Sequence, residues 1–247
     1  MRLDSLQYFT PEHPPEHLGP ILKRNRFDGS ITVWPDAGHP RESIAVVQNH
    51  DFVKAVIPSV DLDDPGVWSL LDKLSDNPKF CGIFYRLGKR LPDGLAELAR
   101  RGLRLDLQVT ASQLPLVSEI AAKFPKIPLA ILHLGSPEIG TNSSDEWARD
   151  MASLAHYPQV FCKASDLIHL AAAPWKGADL RPYMQHVLAR FTPARVMFGS
   201  GWPSGLPDHI WKETLAAFTQ AIGAQSMEVR EELLGGTAQR FYGLAPL

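Results

Sequence analysis

Apolar positions along the chain follow two alternating rhythms. Short runs rich in Val, Ile, Leu and Phe, with the composition of buried strands, alternate with longer stretches whose apolar residues fall on one helical face. The strand-like runs are Arg2–Tyr8, Gly29–Trp34, Phe52–Val60, Phe80–Leu87, Leu103–Val109, Ile127–His133, Val160–Ser165 and Arg195–Gly199. Helical stretches separate them. Pro14–Arg26 places Leu18, Ile21 and Leu22 on one face, and Pro40–Asn49, Ser112–Phe124, Ser143–His156 and a helix containing Arg181–Phe191 follow the same rule. Asp64-Pro65 predicts a helix start, because aspartate accepts from the first turn and proline lacks an N–H to leave unsatisfied. Asp93 predicts another, closed by Arg100-Arg101-Gly102, where cations meet the negative helix end and glycine takes a left-handed cap. Helices at about Asp208–Ile222 and Ser226–Leu234, and a last turn over Thr237–Tyr242, close the chain.

Eight strands alternating with helices predict parallel pairing through crossover helices. In 247 residues this favours a single (β/α)8 TIM barrel with extra C-terminal helices, one domain over residues 1–247. An open doubly wound sheet would carry a Gly-rich phosphate loop after its first strand, whereas Phe9-Thr10-Pro11 follows Tyr8.

Composition narrows the function. Hydrophobic residues make up 45% of the chain and charged residues 21%, enough to build a large core. The net charge is −2 with no long run of one sign, which gives no electrostatic case for nucleic acid or an anionic membrane. No apolar run has the length of a bilayer span, and Met1–Ser5 lacks the apolar core of a secretory signal. Cys81 and Cys162 lie in separate apolar segments and read as reduced core thiols, which points to the cytoplasm. The oligomeric state stays open.

The segment Phe198-Gly199-Ser200-Gly201-Trp202-Pro203 reads as a buried strand that breaks into a loop. It resembles the Gly-Ser-Asp-Trp-Pro that ends the last strand in the amidohydrolase-related family of TIM-barrel hydrolases, which includes sugar lactonases. Further stretches resemble the same family in order: Val60-Asp61-Leu62-Asp63-Asp64-Pro65, Leu132-His133-Leu134-Gly135-Ser136-Pro137, Phe161-Cys162-Lys163-Ala164-Ser165 and Leu234-Gly235-Gly236-Thr237-Ala238-Gln239-Arg240-Phe241-Tyr242.

The resemblance also marks departures. Leu6 and Tyr8 stand where the family has a histidine pair, and Gly201 stands where it has the aspartate that binds metal or activates water. The family's Gly-Val-Arg-His becomes Gly82-Ile83-Phe84-Tyr85, with Arg86 two residues on, on the side of Phe84. Leucine donates nothing to a metal and neutral tyrosine is a poor ligand, so the reading is a degenerate metal site, no resident metal and no cofactor.

With the active site at the C-terminal strand ends, the resemblance places Leu6, Tyr8, Trp34, Arg86, Gln108, His133, Lys163, Ser165 and Gly201 towards the axis, with Trp202 beside them. The candidate catalytic residues are His133, Lys163, Arg86 and Tyr8; the candidate substrate contacts are Trp34, Gln108, Ser165 and Trp202. Imidazole exchanges protons near neutrality. An inward lysine needs a counter-charge, either Asp106 or a ligand anion. Lys163 and Ser165 also have the spacing of a Ser-Lys nucleophile. Such a mouth suits a small anionic or sugar-like ligand. Two functions remain: a pocket that binds a lactone-like molecule with little or no turnover, or a metal-independent lactonase working through His133. A third reading, an interface marked by Trp147, Trp175 or Trp211, treats the chain as a structural partner. His39, His50, His156, His169, His186 and His209 read as surface residues, and His13 and His17 as a solvated helix entry.

Overall fold

The computed structural model describes residues 1–34, 40–139, 144–171, 175–203 and 210–245. The strands are β1 (Leu3–Gln7), β2 (Gly29–Trp34), β3 (Val53–Pro58), β4 (Gly82–Arg86), β5 (Arg104–Gln108), β6 (Leu129–Ile131), β7 (Val160–Ser165) and β8 (Val196–Gly199). The helices are α1 (Pro15–Arg24), α2 (Pro40–Val47), α3 (Val67–Leu74), α4 (Leu95–Arg101), α5 (Leu114–Lys123), α6 (Ser144–Leu154), α7 (Leu167–Leu170), α8 (Gly177–Phe191), α9 (Ile210–Ile222), α10 (Met227–Glu231) and α11 (Thr237–Tyr242).

All strand pairs are parallel, in the runs β1-β2-β3 and β4 through β8. Two seams close the ring. Val56 N donates to Lys79 O at 2.8 Å where β3 meets β4, and Gly201 N donates to Leu6 O at 2.8 Å where β8 meets β1. The molecule is thus a (β/α)8 barrel. No helix among the described residues is long and apolar enough to cross a membrane.

Two apolar cores follow from strand alternation. Leu3, Leu6, Ile31, Val33, Ile57, Phe84, Leu132 and Met197 fill the barrel, and a larger core lies between the strands and the outer helices. The register of β1 on β2 slips between Asp4 and Gln7. Leu3 and Leu6 consequently both enter the barrel, while Asp4 reaches Trp211 of α9 and Gln7 bonds the Ser30 and Thr32 hydroxyls. Buried Asp4 also accepts from Ser200 N at 2.7 Å and Ser200 Oγ at 2.6 Å, which ties the start of β1 to the end of β8. At the barrel floor, Phe241 and Tyr242 of α11 pack against the inner core.

The element boundaries differ from the sequence reading mainly at caps. Asp64 bonds Gly66 N within a turn ahead of α3, whose cap residue is Gly66. Asp93 pairs with Arg90, and Gly94 rather than Asp93 precedes α4. Gly102 does close α4 in the left-handed conformation. Asp63 accepts from Asp93 N at 2.8 Å and pairs with Arg90. His39, His209 and the expected helix start at Asp208 lie outside the described residues.

Candidate active site

A cavity of about 370 Å³ opens at the C-terminal ends of the strands. Leu6, Val33, Phe84 and Leu132 form its apolar base, and Tyr8, Arg86, Gln108, His133, Asp166 and His169 supply its polar groups beside Gly201. Single-ligand sites have about this size, with an apolar wall and a few convergent polar groups.

His133 follows β6 rather than ending it. A helical turn over His133–Gly135 replaces the expected strand, and four consecutive residues, His133, Leu134, Gly135 and Ser136, have φ of 55°, 55°, 72° and 50°. Left-handed backbone costs an L-residue about 1–2 kcal/mol. Packing holds the turn in place: Leu134 is fully buried, and Trp147 Nε1 donates to Leu134 O at 2.8 Å. The turn carries the imidazole to the cavity wall.

Ser165 fixes the His133 ring. Its Oγ accepts from His133 N–H at 3.1 Å and lies 3.1 Å from His133 Nδ1, while Ser165 O is farther from Nδ1, at 3.4 Å. Where the Ser165 hydroxyl proton goes to Nδ1, the neutral ring carries its own proton on Nε2, as a donor. Burial holds the His133 pKa below its ordinary 6.5, against the opposing charge of Asp166 and the hydrogen bond that the ring can donate to the Ser165 carbonyl. The ring is therefore mostly neutral at pH 7.

On the next strands, Arg86 Nε donates to Gln108 Oε1 at 3.2 Å, which couples the ends of β4 and β5 and orients the guanidinium at the rim. At the end of β7, Asp166 takes a left-handed conformation (φ 55°, ψ 33°), which Asp tolerates better than most residues. His169 follows one turn later with Nδ1 at 2.5 Å from Asp166 Oδ1. Both line the cavity.

Of the residues selected from sequence, Tyr8, Arg86, Gln108 and His133 meet at this cavity, and four others do not line it. Lys163 is completely buried below it, with Nζ at 2.6 Å from both Asp106 Oδ2 and Ser5 O. It faces inward as expected, but the ring of Tyr242 and the Asp106 carboxylate hold it near the floor. Ser165 is buried and engaged by His133, so the Lys163 ammonium and the Ser165 hydroxyl face different partners. Trp34 misses by one position: Val33 is the inward residue of β2, and Trp34 lies in a separate groove with Phe9, Pro11 and Val46. Trp202 is fully buried in the outer core, edge-on to Phe9 and His13, because the left-handed turn at Gly201 (φ 72°) sends the next side chain outward. Trp147 and Trp211 are likewise core residues, and Trp175, the third of the tryptophans considered for an interface, is partly exposed.

Asp166 and His169 were missed, His169 having been read as a surface histidine. They sit beyond the last residue of β7, where alternation no longer applies. The available signal was the Asp-x-x-His spacing directly after an inward-facing serine.

Leu6 and Gly201 offer no ligand atom to the cavity, and among the described residues no three His, Cys, Asp or Glu side chains gather at one point.

Residues 45–244 match the Amidohydrolase family (Amidohydro_2). The chain is 30% identical to the uncharacterized protein y4mH of Sinorhizobium fredii, over 90% of this chain and 80% of that one. It is 28% identical to an L-fucono-1,5-lactonase of Burkholderia ambifaria, over 92% and 84% of the two chains. Two crystal structures of an amidohydrolase from Burkholderia multivorans superpose on 99% of this chain and 100% of their own. The one with bound HEPES has a TM-score of 0.86 at 25% identity, and the one with bound zinc 0.84 at 26%. On the family match over most of its length and this end-to-end likeness, the chain belongs to the amidohydrolase family.

Proposed function

We propose that the chain hydrolyses a small lactone of the sugar-acid type in this cavity, without a resident metal. The observation that carries the reading is the convergence of a neutral, oriented imidazole (His133), a guanidinium (Arg86) and a carboxylate–imidazole pair (Asp166–His169) on one cavity of about 370 Å³. The lactonase among the relatives supports the substrate class.

His133 Nε2–H is suited to polarise the lactone carbonyl and to hold the negative charge that grows on its oxygen. Such a donor counts most in a site that excludes water. Arg86, steadied by Gln108, meets a hydroxyl or carboxylate of the substrate, and Tyr8 lies at the same rim. The apolar base formed by Leu6, Val33, Phe84 and Leu132 takes the ring carbons.

The test is a panel of aldono-1,4- and 1,5-lactones headed by L-fucono-1,5-lactone, followed by acid release, on protein stripped with chelator and checked by elemental analysis. The expected result is turnover without stoichiometric metal, and a loss of about 10²–10³ in kcat for a folded His133→Ala variant. Saturable binding with no turnover above the spontaneous rate would replace this reading with the binding-only one. Activity that appears only with added zinc or manganese would remove its metal-free part.

A further inference from the structure

We propose that Asp166 and His169 are the proton-transfer pair of this site, with His169 as general base and Asp166 as its positioning residue, and that Gly201 is glycine to leave room for their carboxylate. The proposal rests on the hydrolytic reading above and adds the group that activates water.

The geometry comes from the end of β7. The left-handed turn at Asp166 starts the single helical turn of α7, in which His169 N donates to Asp166 O at 3.0 Å. Residues three apart on a helical turn share a face. The two side chains therefore point together towards the cavity, and Nδ1 of His169 meets Oδ1 of Asp166 at 2.5 Å. The carboxylate fixes the ring orientation and, by accepting from Nδ1–H, leaves Nε2 as the proton acceptor. The pair is open to water: the Asp166 side chain is 26% exposed and that of His169 38%. This is the arrangement a base needs in order to reach a water molecule, unlike the sealed Lys163–Asp106 pair below, where both side chains are 0% exposed.

Gly201 supplies an independent observation from the neighbouring strand. A Cβ at this position would sit 2.9 Å from Asp166 Oδ1 and 3.1 Å from its Cγ, closer than such atoms pack. A Cβ here would force the Asp166 carboxylate or the turn to shift, on top of the strain that the left-handed backbone (φ 72°) puts on any residue but glycine. The end of β8 thus lacks a side chain at the point where the end of β7 brings a carboxylate in. His133 belongs to the same arrangement, since it lines the same cavity beside Asp166 and His169.

The step balances as follows. His169 Nε2 removes a proton from water while the water oxygen bonds to the lactone carbonyl carbon. The carbonyl π electrons move to its oxygen, facing His133 Nε2–H, and Asp166 offsets the charge of the imidazolium. As the carbonyl re-forms, the ring C–O bond breaks and the leaving alkoxide takes the proton from His169. Lactone and water give a hydroxy acid, and His169 returns to its starting state.

The experiment measures L-fucono-1,5-lactone hydrolysis by wild type, His169→Ala, Asp166→Asn and the double variant, each with its urea midpoint. Asparagine tolerates the left-handed conformation, so Asp166→Asn keeps the turn. His169→Ala should lose about 10²–10⁴ in kcat with KM little changed, and added imidazole should restore part of the loss. Asp166→Asn should also lower kcat, imidazole should not restore it, and the double variant should be no slower than His169→Ala, because the two act as a unit. If wild type is active and His169→Ala keeps kcat within about twofold, below the range expected for a general base, the pair is not the base, although the lactonase reading survives. Losses that add fully in the double variant also overturn the proposal. A wild type inert towards the whole lactone panel overturns both.

Discussion

Replacing Lys163 by Met asks whether this lysine holds the barrel or works on the substrate. The substitution keeps the length and apolar stem of the side chain and removes only the ammonium. Three contacts disappear: the 2.6 Å bonds to Asp106 Oδ2 and Ser5 O, and the cation 5.2 Å from the Tyr242 ring. Asp106 is left fully buried with the Tyr242 hydroxyl as its remaining side-chain partner, at 2.8 Å. Removing one member of a buried pair costs about 3–5 kcal/mol, because the other charge stays in the interior without compensation. With a urea m value of about 3 kcal/mol/M, the midpoint should fall by roughly 1–1.7 M.

The loss should depend on pH in a defined direction. Burial already raises the Asp106 pKa above its ordinary 3.8, and Lys163 opposes that rise. Without the lysine the folded pKa climbs further, so a neutral Asp106 is favoured by the folded variant. That contribution is fully present below the unfolded value and is lost as pH rises through the folded one. The stability gap between wild type and Lys163→Met should therefore narrow as pH falls from 7 towards 4. A triple variant, Lys163→Met with Asp106→Leu and Tyr242→Phe, removes the whole polar group and should recover much of the loss. Urea denaturation followed by tryptophan fluorescence measures all of these. A Lys163→Met protein within about 1 kcal/mol of wild type, well short of the cost of an unpaired buried charge, would refute the structural role. If such a stable variant had also lost turnover at unchanged KM, the lysine would belong to the chemistry.

Three further outcomes follow from the structure. Trp147→Phe keeps the ring in the core but deletes the 2.8 Å bond to Leu134 O, leaving a buried carbonyl short of a donor; it should cost about 1–3 kcal/mol by urea midpoint and lower turnover through the His133 turn. Burial pushes the Cys81 thiol up to about 12 and that of Cys162 up as well, so neither should react with a disulfide reagent at pH 8 in native protein, whereas both should be counted after denaturation. His133 is held below 6.5 by burial, so the unfolded chain binds its proton more readily: its share of stability is present above pH 6.5 and is lost on acidification through the folded value. Asp166, His169 and Lys163 surround it, so the fair comparison is wild type against His133→Asn at pH 7.5 and 5.5; the variant should show the shallower decline.

Much of the barrel could be read from the chain because its strands are buried on both faces. Short runs rich in β-branched and other apolar residues, such as Val160–Ser165 and Gly29–Trp34, stand out from their neighbours, and both begin and end in the structure where the pattern places them. The site was less legible, for a physical reason. Reading inward positions by alternation assumes that a strand stays regular up to its end, and at this mouth the ends are irregular. Val33 takes the place expected of Trp34, and the left-handed turn at Gly201 carries Trp202 into the outer core. Left-handed residues also place His133 and Asp166, a conformation that Gly201 announces by residue type and His133 does not. The family motif has its carboxylate at the position of Gly201, whereas in this chain Asp166 brings one in from the end of β7. In space these are one fact: the Cβ that glycine lacks would stand 2.9 Å from the Asp166 carboxylate oxygen. A residue missing from a strand end is therefore weak evidence of lost chemistry until the neighbouring strand ends are examined, since adjacent parallel strands deliver their side chains to the same few ångströms of cavity wall.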